Sequence, residues 1–596
     1  EAQEPTTGPS ARIVLQAPVP ESHTLPLEYV VRADVTGETW IFKTRVKGAD
    51  VLVCRRPIVV TSWISHERTG VKMFEVAWRS AGKWHTVIAP RDVVLDPRRL
   101  LNLGRSGLPV SGDNARALAA YLADYSLTNI EIKGGVQRAV NDVMGWQQPR
   151  KFPGGEQACF LTPDQAICWD RDSEPLDPIE LWAETDGIAE VYRGIQAAGD
   201  RTEWALAIRD MMECPIAMTV FYASAVAPLL LPLGISSFAV EIAGPTSVGK
   251  TVLLGACASL FGGPSTRDGF ILAWGSTRAS LSGIAHHRCD YPTLLDDTKL
   301  ARSSRGKSIV PSIIYSLTEG RDDSRSSSKG LVATKTWRTI VISTGEHRLV
   351  DDNTHAGCAA RTLSFWGKPF GDWKGAQVEA LANKLAVHHG HGGTRYIRYI
   401  VENEARWSEW RQQYEECVNR HQITLEDRGA GPVAHRFCGH TAAIEMAGRL
   451  MHESMGELGN FISPIPDMLD QILEADSATK KNSDALGLVW DFIMGHKTSF
   501  IGGIEEDRRP PWGSCVGKKM QGTGRNGYAF FTTDLNLLLE KNGFQARATR
   551  RQFKESGVLL TGKGRTTMAV RTGEEVNNMV YFLTDKVQAA LNLRDL

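Results

Sequence analysis

A multidomain α/β protein is predicted by three observations on this 596-residue chain. Short runs of alternating apolar and polar residues fill Leu27 to Val94. Apolar strand-like runs alternate with helical segments from about 205 to 370, and the segment from 481 onward has the rhythm helix, helix, helix, ribbon. At about 100–200 residues per domain, the length accommodates about three to five domains.

Composition bounds the class. The formal net charge is zero, with hydrophobic residues at 42% and charged residues at 23%, an ordinary globular balance. A uniformly basic, histone-like binder is excluded, although a local basic surface is hidden in such a sum. The ten cysteines include no Cys-x-x-Cys pair, which argues for reduced thiols in a cytoplasm rather than a zinc ribbon or redox motif. His435, Cys438 and His440 in "HRFCGH" lack a fourth ligand at metal-site spacing.

The chain opens on "EAQEPTTGPSAR", polar and without the apolar core of a signal peptide, so residues 1–24 read as a disordered lead-in. Residues 25–125 read as a small β-rich domain with a helix, a collar or interaction module. In "KMFEVAWRSAGKWHTVI" two alternating runs flank Ser80-Ala81-Gly82 as in a β-hairpin, and "NARALAAYLADYSL" has helical periodicity. Residues 126–204 form a connecting α+β region of loops and short strands around "GWQQPRKFPGGEQACFLTPD".

The apolar run Pro215 to Gly234 is long enough to suggest a membrane span, but it carries Pro228 and Pro232 and leads directly into a strand, which favours a buried helix. The α/β core is assigned to 205–400 and a helical lid region to 401–480. His388, His389 and His391 lie among Gly390, Gly392 and Gly393, so a mobile turn is expected there rather than a metal site.

From 481 to 596, "DALGLVWDFIMG", "TTDLNLLLEKNG" and "ARATRRQFKESG" read as three helices, and "VLLTGKGRTTMAVR" with "NNMVYFLT" as a two-stranded ribbon, together a winged helix. The Gly- and Pro-rich stretch Ile501 to Asn526 is expected to be an exposed loop. Arg547, Arg550, Arg551, Lys554, Lys563, Arg565 and Arg571 face Glu555 alone in charge, the footprint of a phosphate-backbone binder. A solvated basic face without a partner is the other reading.

The most informative stretch is "EIAGPTSVGKT", Glu241 to Thr251. Within it Gly244, Pro245, Thr246, Ser247, Val248, Gly249, Lys250 and Thr251 follow the phosphate-loop pattern, after an apolar strand and before a helical run. Gly244 and Gly249 let the backbone wrap phosphates, Lys250 neutralises their charge, and Thr251 offers a hydroxyl to Mg²⁺. ATP and Mg²⁺ are therefore the expected ligands. "YPTLLDDTKL" ends a strand in Asp296, the candidate metal-side acid, and Asp297, the candidate for polarising water. "WRTIVISTGE" ends in Thr344, which could sense the γ-phosphate, with Ser343 in reserve. Arg361 precedes a further apolar run, where it could serve a neighbouring subunit's site. Between Glu319 and Trp337 a polar insertion carries Arg325 and Lys329. It suits a strand-tracking hairpin and equally a surface loop.

In this order, "FAVEIAGPTSVGKT", "AWGSTRASLSGIA", "YPTLLDD", "IIYSLTEGRDDSR", "TWRTIVISTGE" and "AGCAARTLSF" resemble the helicase-like family of phages, plasmids and mobile islands catalogued as domain of unknown function 927. The likeness runs over roughly Leu27 to Met451. It implies an AAA+ ATPase similar to the MCM and superfamily 3 helicases: a homo-oligomeric ring, a hexamer, moving on single-stranded or forked DNA to replicate a mobile element with that element's other replication proteins. Lys250 and Thr251 then match the phosphate loop, Asp296 and Asp297 the second acidic motif, Thr344 the sensor, Arg361 the finger, and Arg325 and Lys329 the pre-sensor hairpin. Asp297 stands where the family usually has Glu, so a shorter carboxylate must reach the water.

The function expected is thus an ATP-driven, cytoplasmic DNA helicase or translocase with no membrane partner. The alternatives are a protein-remodelling or defence ATPase, and a DNA-binding initiator whose assembly ATP controls.

Overall fold

Alternation in "PIVVTSWIS" and "KMFEVAWR" becomes a twisted sheet in the computed structural model, which describes residues 19, 23–33, 39–131, 137–169, 173–265, 270–298, 303–304, 307–322, 326–327, 330–331, 334–346, 358, 361–428, 432–503, 515–522, 526–542, 546–562, 565–572 and 575–591. Most of the lead-in 1–24, together with Arg325, Lys329 and Lys563, lies outside these residues, as does the side chain of His435. The chain divides into two units. One comprises 1–193, 287–289 and 397–404, the other 194–286, 290–396 and 405–596.

In the first unit Ile58–His66 and Lys72–Ser80 pair antiparallel, and Lys83–Pro90 returns with Ser80 opposite Lys83. The two turn residues, Ala81 and Gly82, have φ of 51° and 77°, the left-handed pair whose twist matches that of the strands it joins. Gln137–Asn141 and Ile179–Leu181 extend this sheet in parallel to five strands. Tyr29–Ala33, Thr39–Lys43 and Val51–Cys54 form a separate antiparallel sheet, and Ile41, Val53, Ile58, Phe74 and Trp78 share one core. Helix Ala115–Ser126 buries Leu118, Tyr121, Leu122 and Tyr125 at helical spacing, and the Tyr121 hydroxyl donates to the Ile58 carbonyl at 2.9 Å.

The second unit is built on five parallel strands: β1 (Ala239–Ala243), β2 (Ile271–Ala273), β3 (Thr293–Asp296), β4 (Val341–Gly345) and β5 (Thr362–Trp366). Their order is β2-β3-β4-β1-β5, so β4 lies between the strand that leads into residues 244–249 and the strand that ends in Asp296. All five residues of β1 and of β4 are buried, as central strands covered on both faces require. Helix Lys250–Ser259 follows β1, and helix Gly375–Val387 packs against it.

The apolar run before β1 forms helix Pro215–Ser224, a 3₁₀ turn Ala227–Leu229 and a short helix Leu230–Leu233, with residues 217–230 all buried. Among the described residues no single helix is long and apolar enough to cross a membrane. This pair, bent by 49°, reaches the required length and composition only when taken together.

The histidine and glycine run at 388–393 departs from expectation. It is tied down rather than mobile: His388 Nδ1 accepts from the Asp200 amide at 2.9 Å, Ala198 and His389 form a bridge, and the chain enters a helix at His391. Its glycines serve close packing. A Cβ on Gly392 would stand 2.3 Å from the Trp204 ring, and one on Gly393 2.4 Å from the Phe261 ring.

Long helices Trp407–Asp427, Pro432–Ser454 and Ile465–Gly495 follow. Beyond them Thr532–Lys541 and Ala546–Glu555 pack on a sheet around Trp490, Phe500, Phe530, Phe553 and Phe582. Two expectations are corrected here. Part of the presumed loop 501–526 is a strand, Gly517–Met520, paired antiparallel with Gly527–Phe531; a Cβ at Gly517 would stand 2.1 Å from the Ala529 carbonyl oxygen, so a glycine that looked like loop composition marks a close strand approach. The ribbon is also larger than two strands, because Glu575–Leu583 pairs with Gly527–Phe531, Leu559–Leu560 and Met568–Thr572.

Candidate functional site

Parallel strands leave their carboxyl ends along one edge of a sheet, and ligands bind outside that edge. Residues 244–249 leave β1 there. Gly249 has φ of 92° and caps helix Lys250–Ser259, and its missing Cβ leaves room for Phe370, which would otherwise stand 2.9 Å away. Ser247, with φ of 62°, is held in the left-handed region that a non-glycine residue adopts only under constraint. The first amides of the ten-residue helix face outward from this turn, a ready anion site. Lys250 Nζ donates to the carbonyls of Gly244 and Pro245 at 2.8 and 2.7 Å, and the Thr246 hydroxyl donates to Glu346 Oε1 at 2.7 Å.

The order of the strands brings the separate sequence motifs into contact. Thr344 Oγ1 donates to Asp296 Oδ1 at 2.6 Å, and the Asp297 amide donates to Thr344 Oγ1 at 3.1 Å. From the loop side the Thr251 hydroxyl reaches both Asp296 carboxylate oxygens at 3.3 Å. Asp297 has φ of 55°, which turns the chain sharply after Asp296. A cleft of about 650 Å³ opens over this group, lined by residues 246–252, Asp296, Asp297, Thr344 and Glu346 on one side and by Lys368, Phe370, Trp373, Val378 and Glu379 on the other. Its size suits a small-molecule ligand. A hydroxyl and a carboxylate, hard oxygen donors beside a lysine and a helix amino end, have the chemistry to hold Mg²⁺ and a polyphosphate.

Ser343 is not part of this group. Its hydroxyl accepts from Trp274 Nε1 at 3.0 Å inside the protein, because alternate residues of a strand face opposite sides of the sheet. Arg361 is also elsewhere. It lies just before β5, at the amino edge, where it pairs with Glu319 Oε2 at 3.0 Å and stands over the Tyr315 ring at 4.6 Å.

The far wall of the cleft was not anticipated from the sequence. Phe370 and Trp373 stack at 5.5 Å and 22°, and Glu346, Lys368 and Glu379 add charge around the opening. Glu346 and Lys368 each follow a core strand end by one or two residues, which is the signal that could have found them.

At the other end of the chain, helix Ala546–Glu555 buries Ala546, Thr549 and Phe553 and turns Arg547 and Arg551 to solvent, with Arg550 and Lys554 half-buried. Burial, reinforced by the charge of Arg547, lowers the pKa of Arg550. Arg565 and Arg571 are exposed on the ribbon. Lys518, from the strand read as loop, joins them by donating to the Arg571 carbonyl at 3.0 Å.

Fold and site together define a multidomain α/β protein with a central parallel sheet and a cleft at the carboxyl edge of its strands. The chain belongs to the family described as Domain of unknown function (DUF927), which matches residues 36–337. Its fold is similar to that of a solved chain titled "SCCmec type IV Cch - active helicase", with a TM-score of 0.63 and 16% sequence identity over 93% of this chain and 97% of that one. No curated protein sequence matches significantly.

Proposed function

We propose that this protein is an ATP-dependent DNA helicase or translocase of AAA+ architecture, working in the cytoplasm as a homo-oligomeric ring, a hexamer, in the replication of a mobile element. The observation that carries this reading is the hydrogen-bonded line Thr251–Asp296–Thr344, which joins three separate motifs at the loop 244–249. In this reading the loop amides and Lys250 bind the ATP phosphates, Thr251 and Asp296 hold Mg²⁺, Asp297 orients water, and Thr344 reports on the γ-phosphate through Asp296. When bound, Mg²⁺ supplies charge neutralisation on the phosphate oxygens.

The position of Arg361 supports a ring. It stands just before a strand whose other end borders the loop, and a five-residue strand is about 17 Å long, beyond the reach of an arginine acting on its own site. A neighbouring subunit's cleft is the alternative target. The basic helix and ribbon, read as a winged helix, support DNA as the partner, with Arg325 and Lys329 proposed to track the strand. The helicase named in the similar fold favours a nucleic acid over a polypeptide as the substrate.

The test is ATP turnover by wild type and Lys250→Ala, with and without single-stranded and forked DNA, at low and moderate salt. DNA-stimulated turnover that weakens steeply with salt and vanishes in the variant is expected. Robust turnover indifferent to DNA would overturn the reading in favour of a remodelling or defence ATPase. DNA binding controlled by ATP without strand separation would make it an initiator.

A further inference from the structure

Helix Trp407–Asp427 carries Cys417 and His421 four residues apart, on one face, and Glu445 meets them from helix Pro432–Ser454. His421 Nε2 lies 3.6 Å from Cys417 Sγ and 3.1 Å from Glu445 Oε2, and all three ligand atoms fall within 4.8 Å of one another. The two separations from the imidazole lie close to those of a tetrahedral zinc shell. With Zn–S of about 2.3 Å and Zn–N and Zn–O of about 2.0–2.1 Å, tetrahedral angles set sulfur and nitrogen about 3.6 Å apart and nitrogen and oxygen about 3.4 Å apart.

The surroundings orient the ligands. The Thr441 hydroxyl lies 3.1 Å from the carbonyls of both Phe437 and Cys438, to which it donates, so it accepts from His421 Nδ1–H at 2.8 Å. With Nδ1–H committed to Thr441, Nε2 is the ring nitrogen that faces Sγ and Oε2, where either a proton or a metal ion can sit. Ser463 Oγ donates to Glu445 Oε2 at 2.8 Å, while Arg420 holds Oε1 and also lies 3.0 Å from Cys417 Sγ. A guanidinium there offsets the negative charge of a thiolate and a carboxylate without entering the first coordination sphere. Cys417 and His421 are buried, and Glu445 is 18% exposed on its side chain, leaving one open approach.

We propose that Cys417, His421 and Glu445 bind a zinc ion, with water as the fourth ligand, and that the ion ties the two long helices together. Binding would release the thiol proton to solvent. The "HRFCGH" run is not the site: His440 stacks on Phe238 at 4.3 Å, and Cys438 lies outside the cluster. The inference is independent of the ATP reading.

The test uses the full chain, stripped with a chelator, reloaded with Zn²⁺ or Co²⁺ and freed of excess metal. Wild type is expected to retain one zinc per chain by mass spectrometry and to give a thiolate-to-cobalt charge-transfer band, which an oxygen-only Mg²⁺ site cannot give. Cys417→Ser should lose the band and most of the zinc, whereas Cys438→Ser and Lys250→Ala should keep both. Glu445→Gln, which removes a charged ligand, should weaken zinc affinity by at least about 10–100-fold, the loss usual for a mere partner of a ligand, while leaving the band detectable at saturating cobalt. If Cys417→Ser does not fold, the wild type still decides: zinc must raise its Tm over the chelated protein. No zinc uptake, no charge-transfer band, a band that survives in Cys417→Ser, or a Tm indifferent to zinc would each overturn the proposal.

Discussion

Thr344 and Asp296 are joined by a hydrogen bond of 2.6 Å across two adjacent parallel strands, and Asp296 in turn faces Thr251 of the loop helix at 3.3 Å. One carboxylate therefore links residues 93 positions apart in sequence through a single contact line, the kind of connection through which a change at a phosphate can reach the sheet.

Thr344→Val keeps the shape of the side chain and removes its hydroxyl. Nucleotide affinity, measured with a fluorescent ATP analogue, should change little, while ATP turnover should fall about a hundredfold. Ser343→Ala separates the two neighbours. It leaves the buried Trp274 N–H without its acceptor, so the expected effect is a loss of about 1–2 kcal/mol in denaturant unfolding with turnover largely retained.

Asp297 adopts φ of 55°, a conformation that asparagine tolerates and β-branched residues do not. Asp297→Asn should fold normally and bind nucleotide, yet lose most turnover because the carboxylate proposed to orient water is gone. Asp297→Val adds a backbone penalty of about 1–3 kcal/mol, read as a lower Tm. Equal turnover in wild type and Asp297→Asn would remove this residue from the mechanism.

The proposed finger predicts complementation between subunits. Lys250→Ala and Arg361→Ala should each be inactive alone, but mixed assemblies should regain turnover where a wild-type loop meets a wild-type Arg361. Mixtures no more active than either parent would rule out action in trans. Removing the charge that pairs with Arg361, by Glu319→Gln, should leave nucleotide binding intact, since that pair lies at the opposite edge of the sheet.

In the first unit Asp142 gives a pH dependence whose sign follows from its contacts. Burial by itself would raise its pKa, but hydrogen bonds from His66 and Arg68, with the charges of Arg68 and His287, outweigh it and hold the carboxyl well below the usual range. Such a depressed folded-state pKa contributes stability above the unfolded value of about 3.9 that is lost as pH falls toward the folded one. Asp142→Asn should lower stability at neutral pH and flatten its decline between about pH 5 and 2, followed by tryptophan fluorescence. An unchanged acid-unfolding curve would refute the assignment.

Asp290, fully buried with φ of 65°, is clamped by Arg338 at 2.6 and 2.7 Å just ahead of β3 and β4. Arg338→Met removes that two-point clamp and should lower stability in denaturant unfolding. Partial recovery of stability on a second change, Asp290→Asn, would show that the cost comes from the carboxylate charge.

The sequence alone determined the local features of this protein. The turn 244–249 between β1 and helix Lys250–Ser259 could be read because glycines five residues apart, followed directly by a lysine and a threonine after an apolar run, form a short-range pattern. The hairpin at Ala81-Gly82 and the helix Ala115–Ser126 could be read because side-chain period and turn geometry are short-range properties. Tertiary structure alone decided what depends on pairing between distant segments. The insertion of β4 between β3 and β1 joined Thr344 to Asp296 and sent Ser343 to Trp274, since neighbouring residues of a strand face opposite ways. Pairing across the last sheet turned an apparent loop into the strand Gly517–Met520, and helix packing gathered Cys417, His421 and Glu445. Periodicity specifies which face of an element is buried, but partner and register are set only when the whole core closes around it.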